Sequence, residues 1–252
     1  MLEYTGERMV PEASDGGTFW EHVERYRFAL RHVCGQRVLD IACGEGYGSA
    51  ALKTKAASVI GVDVCPETCR HARAKYGIDA RVGSAECIPL ADSAVDVVVS
   101  FETIEHLQDP RAFIGECRRV LAPGGRLIIS TPNRPVYHQR TPNNRFHVHE
   151  MNIEEFHAVL RPDFRNEFFF GQCVPLPRIL TMRGVRRLPS LFYRKFAPHF
   201  EVPPSDHDRA DVLGAIARPV HAWDRFDPYV VKEMSDESLH RACYLVAVAT
   251  RR

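Results

Sequence analysis

Short apolar runs and longer stretches of mixed apolar and polar residues alternate along most of this chain. The runs predict strands near 37–41, 59–64, 80–83, 95–101, 126–131, 164–170 and 243–250. Apolar positions recurring at helical spacing predict helices near 21–33, 46–55, 67–76, 110–121 and 153–160. Such alternation implies an α/β fold, a doubly wound and mostly parallel sheet with helices on both faces. Two segments fall outside the repeat: the stretch before Gln36 and a Pro- and Arg-containing insertion from about Pro175 to His240. The expected organisation is one domain, with a cap or lid at 1–35, a core at 36–174, a substrate-selecting insertion at 175–240 and a last strand at 241–252. Both extra segments are expected over the C-terminal edge of the sheet, where ligands bind in such folds.

The first strand and its turn, Val38 to Gly48, carry the earliest chemical signal. Glycines at 44, 46 and 48 allow a sharp bend and let a ligand lie against bare main chain. The second strand ends in Asp63, 23 residues after Asp40, where an acid can accept both hydroxyls of a ribose. A nucleoside-containing cofactor is therefore expected. A pyrophosphate would seek N–H groups and positive charge at the helix start. This turn instead carries Asp40 and Glu45 and no basic residue, which suits a ligand bearing an ammonium and a sulfonium.

Asp40 and its turn resemble motif I of the class I S-adenosylmethionine (SAM) methyltransferases, with Asp63 as their ribose acid. The resemblance extends in order over residues 37 to 131. Gly83-Ser84-Ala85-Glu86 followed by Ile88-Pro89-Leu90 is similar to the adenine loop, Val95 to Phe101 to strand four, and Leu121 to Ile129 to the turn into strand five. It implies a Rossmann-like seven-stranded sheet with the last strand antiparallel, a place suited to Cys243 to Ala249. It also implies that SAM is held by Asp40, Ala42, Gly44, Gly46, Asp63, Val64, Ser84, Ala85, Glu86 and Phe101. Ser84 departs from the family, which often has Asp at that place to bind the adenine amino group.

Composition narrows the partners. Lys+Arg 33 against Asp+Glu 32 gives a net charge of +1, so no global field draws the protein to nucleic acid or membrane. No apolar run approaches membrane-spanning length, and the N-terminus lacks a signal-peptide pattern. The eight cysteines include no CxxC pair, as expected for reduced thiols in a cytoplasmic enzyme.

After strand four comes Glu102-Thr103-Ile104-Glu105-His106, at the strand end that faces the SAM methyl group in this fold. The sulfonium is already a good leaving group, so the remaining task is removing the proton of an acceptor hydroxyl. A general base or a metal ion does this. Further on lies Phe146-His147-Val148-His149-Glu150. Ubiquinone-pathway O-methyltransferases and small-RNA 3′-terminal 2′-O-methyltransferases carry a similar Glu-x-x-Glu-His, and the latter add a later His-x-x-Glu. That resemblance implies Glu102, Glu105, His106 and His147 as ligands of Mg²⁺, Mn²⁺ or Fe²⁺, with His106 or His147 the catalytic base in the absence of metal. The bland alternative is a histidine that packs and a Glu105 that is solvated.

The acceptor is read from two further features. Thr131-Pro132-Asn133-Arg134, Asn144 to Met151 and Glu155-Phe156 resemble bacterial methyltransferases of glycans and sugar-derived metabolites, with Arg145 where their pattern has proline. Thr5 to Pro11 and His22 to Tyr26 resemble the lead-in of the same group. Arg178, Arg183, Arg186, Arg187, Arg194 and Lys195 form a cluster of cations without an acid, which suits a phosphate-bearing acceptor. The expected function is O-methylation of a sugar, glycan or sugar-containing small molecule. A 2′-O-methyltransferase of an RNA end, an amino-sugar N-methyltransferase and a non-catalytic SAM-binding subunit are the alternatives. The net charge and the lack of a recognised RNA-binding module argue against RNA.

Overall fold

The computed structural model describes residues 8–14, 16–142, 144–173, 210–218 and 231–252. The cationic cluster between Arg178 and Lys195 lies outside the described residues. Eight strands form one sheet: β1 (Arg37–Ile41), β2 (Ser58–Asp63), β3 (Asp79–Val82), β4 (Val95–Ser100), β5 (Leu121–Pro132), β6 (Phe164–Gln172), β7 (Lys232–Glu233) and β8 (Tyr244–Arg251). Their order is β3-β2-β1-β4-β5-β8-β6-β7. β1 to β5 are mutually parallel, and β8 inserts antiparallel between β5 and β6. The seven expected strands are all present. Two-residue β7 adds an eighth at the edge, drawn from the span expected to be insertion.

Side-chain parity along the strands divides the core into two layers. Val38, Val97, Val99, Val246 and Val248 face one side, and Leu39, Ile41, Val98, Leu245 and Ala247 the other. The first side is covered by α1 (Gly16–Ala29), α2 (Tyr47–Lys53) and, further along the chain, Val212–Ala217. The last of these also comes from the expected insertion, and Ala215 and Ile216 give their carbonyls to the Arg27 guanidinium. α3 (Pro66–Tyr76) packs beside β2 and β3. The second side is covered by α4 (Pro110–Val120) and by Ile153–Leu160.

α5 (Arg134–Arg140), begun by Pro135 in its first turn, was not expected; α6 is Ile153–Leu160, α7 Val212–Ala217 and α8 Asp236–Leu239. Only Val136 and Tyr137 are apolar within the α5 sequence, too few to make a helical stripe. Asn133, buried just before it, donates from Nδ2 to the Ala242 carbonyl at 2.8 Å, while its N–H donates to the Cys243 carbonyl. The Thr-Pro-Asn-Arg segment thus ties the end of β5 to the start of β8. Asn152 and Glu155 form a capping box on α6. Among the described residues no helix is long and apolar enough to cross a membrane.

Candidate active site

Sheet order reverses between β1 and β4, which opens a crevice at their C-terminal ends. A cavity of about 360 Å³ occupies that crevice. One end is built largely from main chain. Ala42, Gly44 and Gly46 all take left-handed backbone, with φ of 58°, 53° and 89°. A Cβ on Gly46 would stand 2.7 Å from that of Ala72, and one on Gly48 would stand 1.9 Å from the Tyr26 ring. Both glycines are therefore required by close approach, the second by the cap helix itself. The Gly44 N–H donates to Asp63 Oδ2 and the Cys65 N–H to Oδ1, each at 2.9 Å. This fixes the carboxylate in the cavity wall and leaves each oxygen a second lone pair. Val64, Ser84 and Ala85 line the same end.

The parity of β1 places Asp40 on the α1–α2 side of the sheet, beneath the cavity. It is 1% exposed and accepts from Ser49 Oγ at 2.6 Å and from the Tyr26 hydroxyl at 3.3 Å. Burial pushes its carboxyl up from 3.8 to about 7, against the two hydroxyl donors. Glu45 is also buried, 3.7 Å from His71 Nε2. Neither carboxylate lines the cavity, which corrects the expectation that these two acids set its charge. The acids in its wall are Asp63 and Glu102.

The other end is built from side chains. Glu102 follows β4 with φ of 51°, a strained conformation for a non-glycine residue. It is held there by Ser130, whose Oγ accepts from the Glu102 N–H at 3.2 Å and donates to Oε1 at 2.7 Å. A 3-10 turn, Ile104–His106, then aims His106 at the cavity and buries Glu105 completely. The Glu105 carbonyl accepts the N–H groups of Val148 and His149, which docks the 144–150 loop on this turn.

Hydrogen bonding fixes the tautomers of both imidazoles. His106 Nδ1 is 2.9 Å from the Phe146 carbonyl, which can only accept, so the proton sits on Nδ1. His147 Nδ1 is 2.8 Å from Glu150 Oε1. Asn144 Oδ1 accepts from the Phe146 N–H, which turns its amide nitrogen to His147 Nε2 at 3.0 Å. In each neutral ring Nε2 is thus the unprotonated nitrogen, and that of His147 accepts from the Asn144 amide. Ligand atoms of Glu105, His106 and His147 lie within 4.8 Å of one another. Glu105 Oε1 is buried and has no hydrogen-bond partner; burial, then the charge of Glu102, raises its carboxyl well above the usual range.

Of the expected cofactor residues, Ala42, Gly44, Asp63, Val64, Ser84, Ala85 and Phe101 line the cavity. Asp40 and Gly46 support its floor, and Glu86 turns away to accept the Asp109 N–H at the start of α4. Of the four expected metal ligands, Glu105, His106 and His147 gather and Glu102 does not. His22, Tyr47, Cys65 and Thr103 also line the cavity without having been singled out as site residues. His22 Nδ1 lies 3.0 Å from the Tyr47 hydroxyl, and burial, then the Arg25 charge, holds its imidazole well below its ordinary range. The signal for it in the sequence was the resemblance of the stretch from His22 to Tyr26 to a lead-in segment.

Residues 39–129 match the family model described as a methyltransferase domain. A Mycolicibacterium smegmatis protein named "Probable S-adenosylmethionine-dependent methyltransferase" is 42% identical over 163 residues, 63% of each chain, so the match spans under two thirds of that relative. A ubiquinone biosynthesis O-methyltransferase of Cereibacter sphaeroides is 40% identical over 105 residues, 40% of this chain and 42% of its own length. A Thermotoga maritima structure, described as a SAM-dependent methyltransferase and possible histamine N-methyltransferase, has the same fold. Its TM-score is 0.58 at 20% identity, covering 92% of this chain and 93% of that one. Residues 39–129 are thus similar to a methyltransferase domain, and S-adenosylmethionine dependence is given in the names of the Mycolicibacterium relative and the Thermotoga structure.

Proposed function

We propose that the whole chain is a SAM-dependent O-methyltransferase acting on a hydroxyl of a sugar, glycan or sugar-containing small molecule. The observation that carries this reading is a single cavity with Asp63 at one end and His106 at the other. Asp63 accepts the ribose hydroxyls through its remaining lone pairs, Ser84 and Ala85 receive the adenine, and Ala42 and Gly44 give main chain to the methionine arm. Phe101 and Glu102 border the transferred methyl group. His106 accepts the acceptor's hydroxyl proton on Nε2 as the oxygen attacks the methyl carbon and the sulfonium leaves as a neutral thioether. The hydroxyl reading draws on the Cereibacter relative's name, and the sugar reading on the sequence resemblance alone. The 175–240 span, with its cation cluster, is the proposed substrate-selecting segment and would suit a phosphate on the acceptor.

Glu105, His106 and His147 fit a divalent cation. They bring one carboxylate and two imidazoles together, with Glu105 Oε1 buried and without a hydrogen-bond partner; a cation there would displace the Asn144 amide from His147 Nε2. Bound there, Mg²⁺, Mn²⁺ or Fe²⁺ would lower the pKa of an acceptor hydroxyl. This same grouping favours the second reading, 2′-O-methylation of an RNA end.

Labelled SAM offered with hydroxylated sugars, sugar phosphates and a short RNA, with EDTA or with each metal, tests these readings. Label in a sugar product is the expected result. Label only in RNA, with salt-sensitive binding, would transfer the assignment to the RNA end. Calorimetry without uptake of SAM or S-adenosylhomocysteine would overturn both.

A further inference from the structure

We infer that Arg25, on the cap helix, is a positioning residue that withdraws Glu102 from the cation ligands and dedicates it to the organic ligand. This rests on the reading of the cavity as a methyl-donor site. Arg25 is 1% exposed and Glu102 15% exposed, and Nη1 lies 3.7 Å from Glu102 Oε1. The same Nη1 donates to Gln172 Oε1 at 2.9 Å, and the guanidinium stacks over the Tyr244 ring at 4.7 Å. Tyr244 in turn donates to Glu21 Oε2 at 2.8 Å. The guanidinium is thus held by the ends of β6 and β8 as well as by its own helix, and it cannot follow a moving Glu102.

Oε1 of Glu102 is committed twice over, to the Ser130 hydroxyl and toward Arg25. Oε2 has no protein hydrogen-bond donor among the described residues, and Glu102 lines the cavity. A carboxylate anchored by one oxygen presents the other to a cationic N–H donor. The α-ammonium of the methyl donor is the group of that chemistry in the ligand. The strained φ of 51° serves the same end, since the backbone is bent to aim this side chain. Glu105, three residues on, takes the opposite assignment: its Oε1 is buried beside His106, 4.0 Å from Nε2. Two acids of one short segment are thereby sorted, one to the donor and one to the cation, and the sorting group is Arg25.

Calorimetry on the full chain with Mn²⁺, with S-adenosylhomocysteine and with 5′-methylthioadenosine, which lacks the amino-acid arm, tests this. Glu102→Gln is expected to bind Mn²⁺ within about twofold of wild type but S-adenosylhomocysteine about tenfold more weakly, the loss of one charge-assisted hydrogen bond. Glu105→Gln shows the reverse pattern. Arg25→Lys keeps the charge but loses the planar fork and the stack, and weakens S-adenosylhomocysteine about threefold. Methylthioadenosine binds all forms alike, which a general loss of folding would not allow. Loss of Mn²⁺ binding in Glu102→Gln equal to that in Glu105→Gln overturns the proposal. So does S-adenosylhomocysteine binding unchanged in both Glu102→Gln and Arg25→Lys. Wild type that binds no Mn²⁺ defeats the cation reading, while the nucleoside arms still decide the role of Arg25. Wild type that binds no S-adenosylhomocysteine defeats the methyl-donor reading and this proposal together.

Discussion

At the Asp63 end of the cavity, left-handed turn residues and main-chain N–H groups make the wall. At the His106 end, side chains converge from α1, the segment after β4, β5 and the 144–150 loop. A main-chain site is specified by a few neighbouring residues and tolerates exchange of most side chains around it. A side-chain site is specified by tertiary assembly, and each of its bonds depends on a partner far away in sequence. The first kind suits a ligand shared by a whole family, and the second a substrate that differs between members.

The contrast can be broken at several points. Asp63→Ala removes the carboxylate proposed to accept the ribose hydroxyls and is expected to weaken S-adenosylhomocysteine about a hundredfold in calorimetry. Binding at wild-type strength would mean that the nucleoside is not held there. Gly48→Ala drives a methyl group into the Tyr26 ring and is expected to cost about 2 kcal/mol despite the better helix propensity of alanine. The unfolding midpoint should fall by several degrees, and an unchanged midpoint would show that the cap helix can lift away. Glu150→Ala removes the carboxylate behind His147 and should weaken Mn²⁺ uptake about tenfold, with partial recovery in Glu150→Gln. Histidine ¹⁵N shifts should show a change at His147 Nδ1 in the alanine variant, where its hydrogen-bond acceptor is gone.

The smallest effect concerns pH. Asp40 is raised from 3.8 to about 7 in the folded chain, so between these values the native state binds the extra proton. Its contribution to stability is present below the lower value and fades as pH rises through about 7. The ligand-free wild type should therefore lose more thermal stability from pH 5.5 to pH 8 than Asp40→Asn does. Parallel curves for the two would remove Asp40 from the account.

The Asp63 end of the cavity was legible in sequence because its determinants are local. Strand, turn glycines and Asp63 sit within one stretch, and the positions of Ala42, Gly44 and Asp63 follow from strand ends alone. Asp40 was misplaced because its role depends on which face of β1 it takes, and Tyr26, its partner there, belongs to another element. Glu102 was grouped with Glu105 by spacing, yet the bend at Glu102 and the buried Arg25 send the two carboxylates to different neighbours. Gln172 and Tyr244, which anchor Arg25, lie more than a hundred residues further along the chain. Helix α5 escaped for a related reason: Tyr137 is placed by stacking on His147, with ring centroids 5.3 Å apart, and not by a local pattern.

The docking of the 144–150 loop has an evolutionary corollary. Its attachment to the 3-10 turn runs through the peptide oxygen of residue 105, which every amino acid possesses. Replacement of the Glu105 side chain would remove the carboxylate of the proposed cation site without releasing the loop that carries His147. Descendants of this scaffold can therefore abandon or exchange their reactive chemistry in a single step and still keep the same architecture.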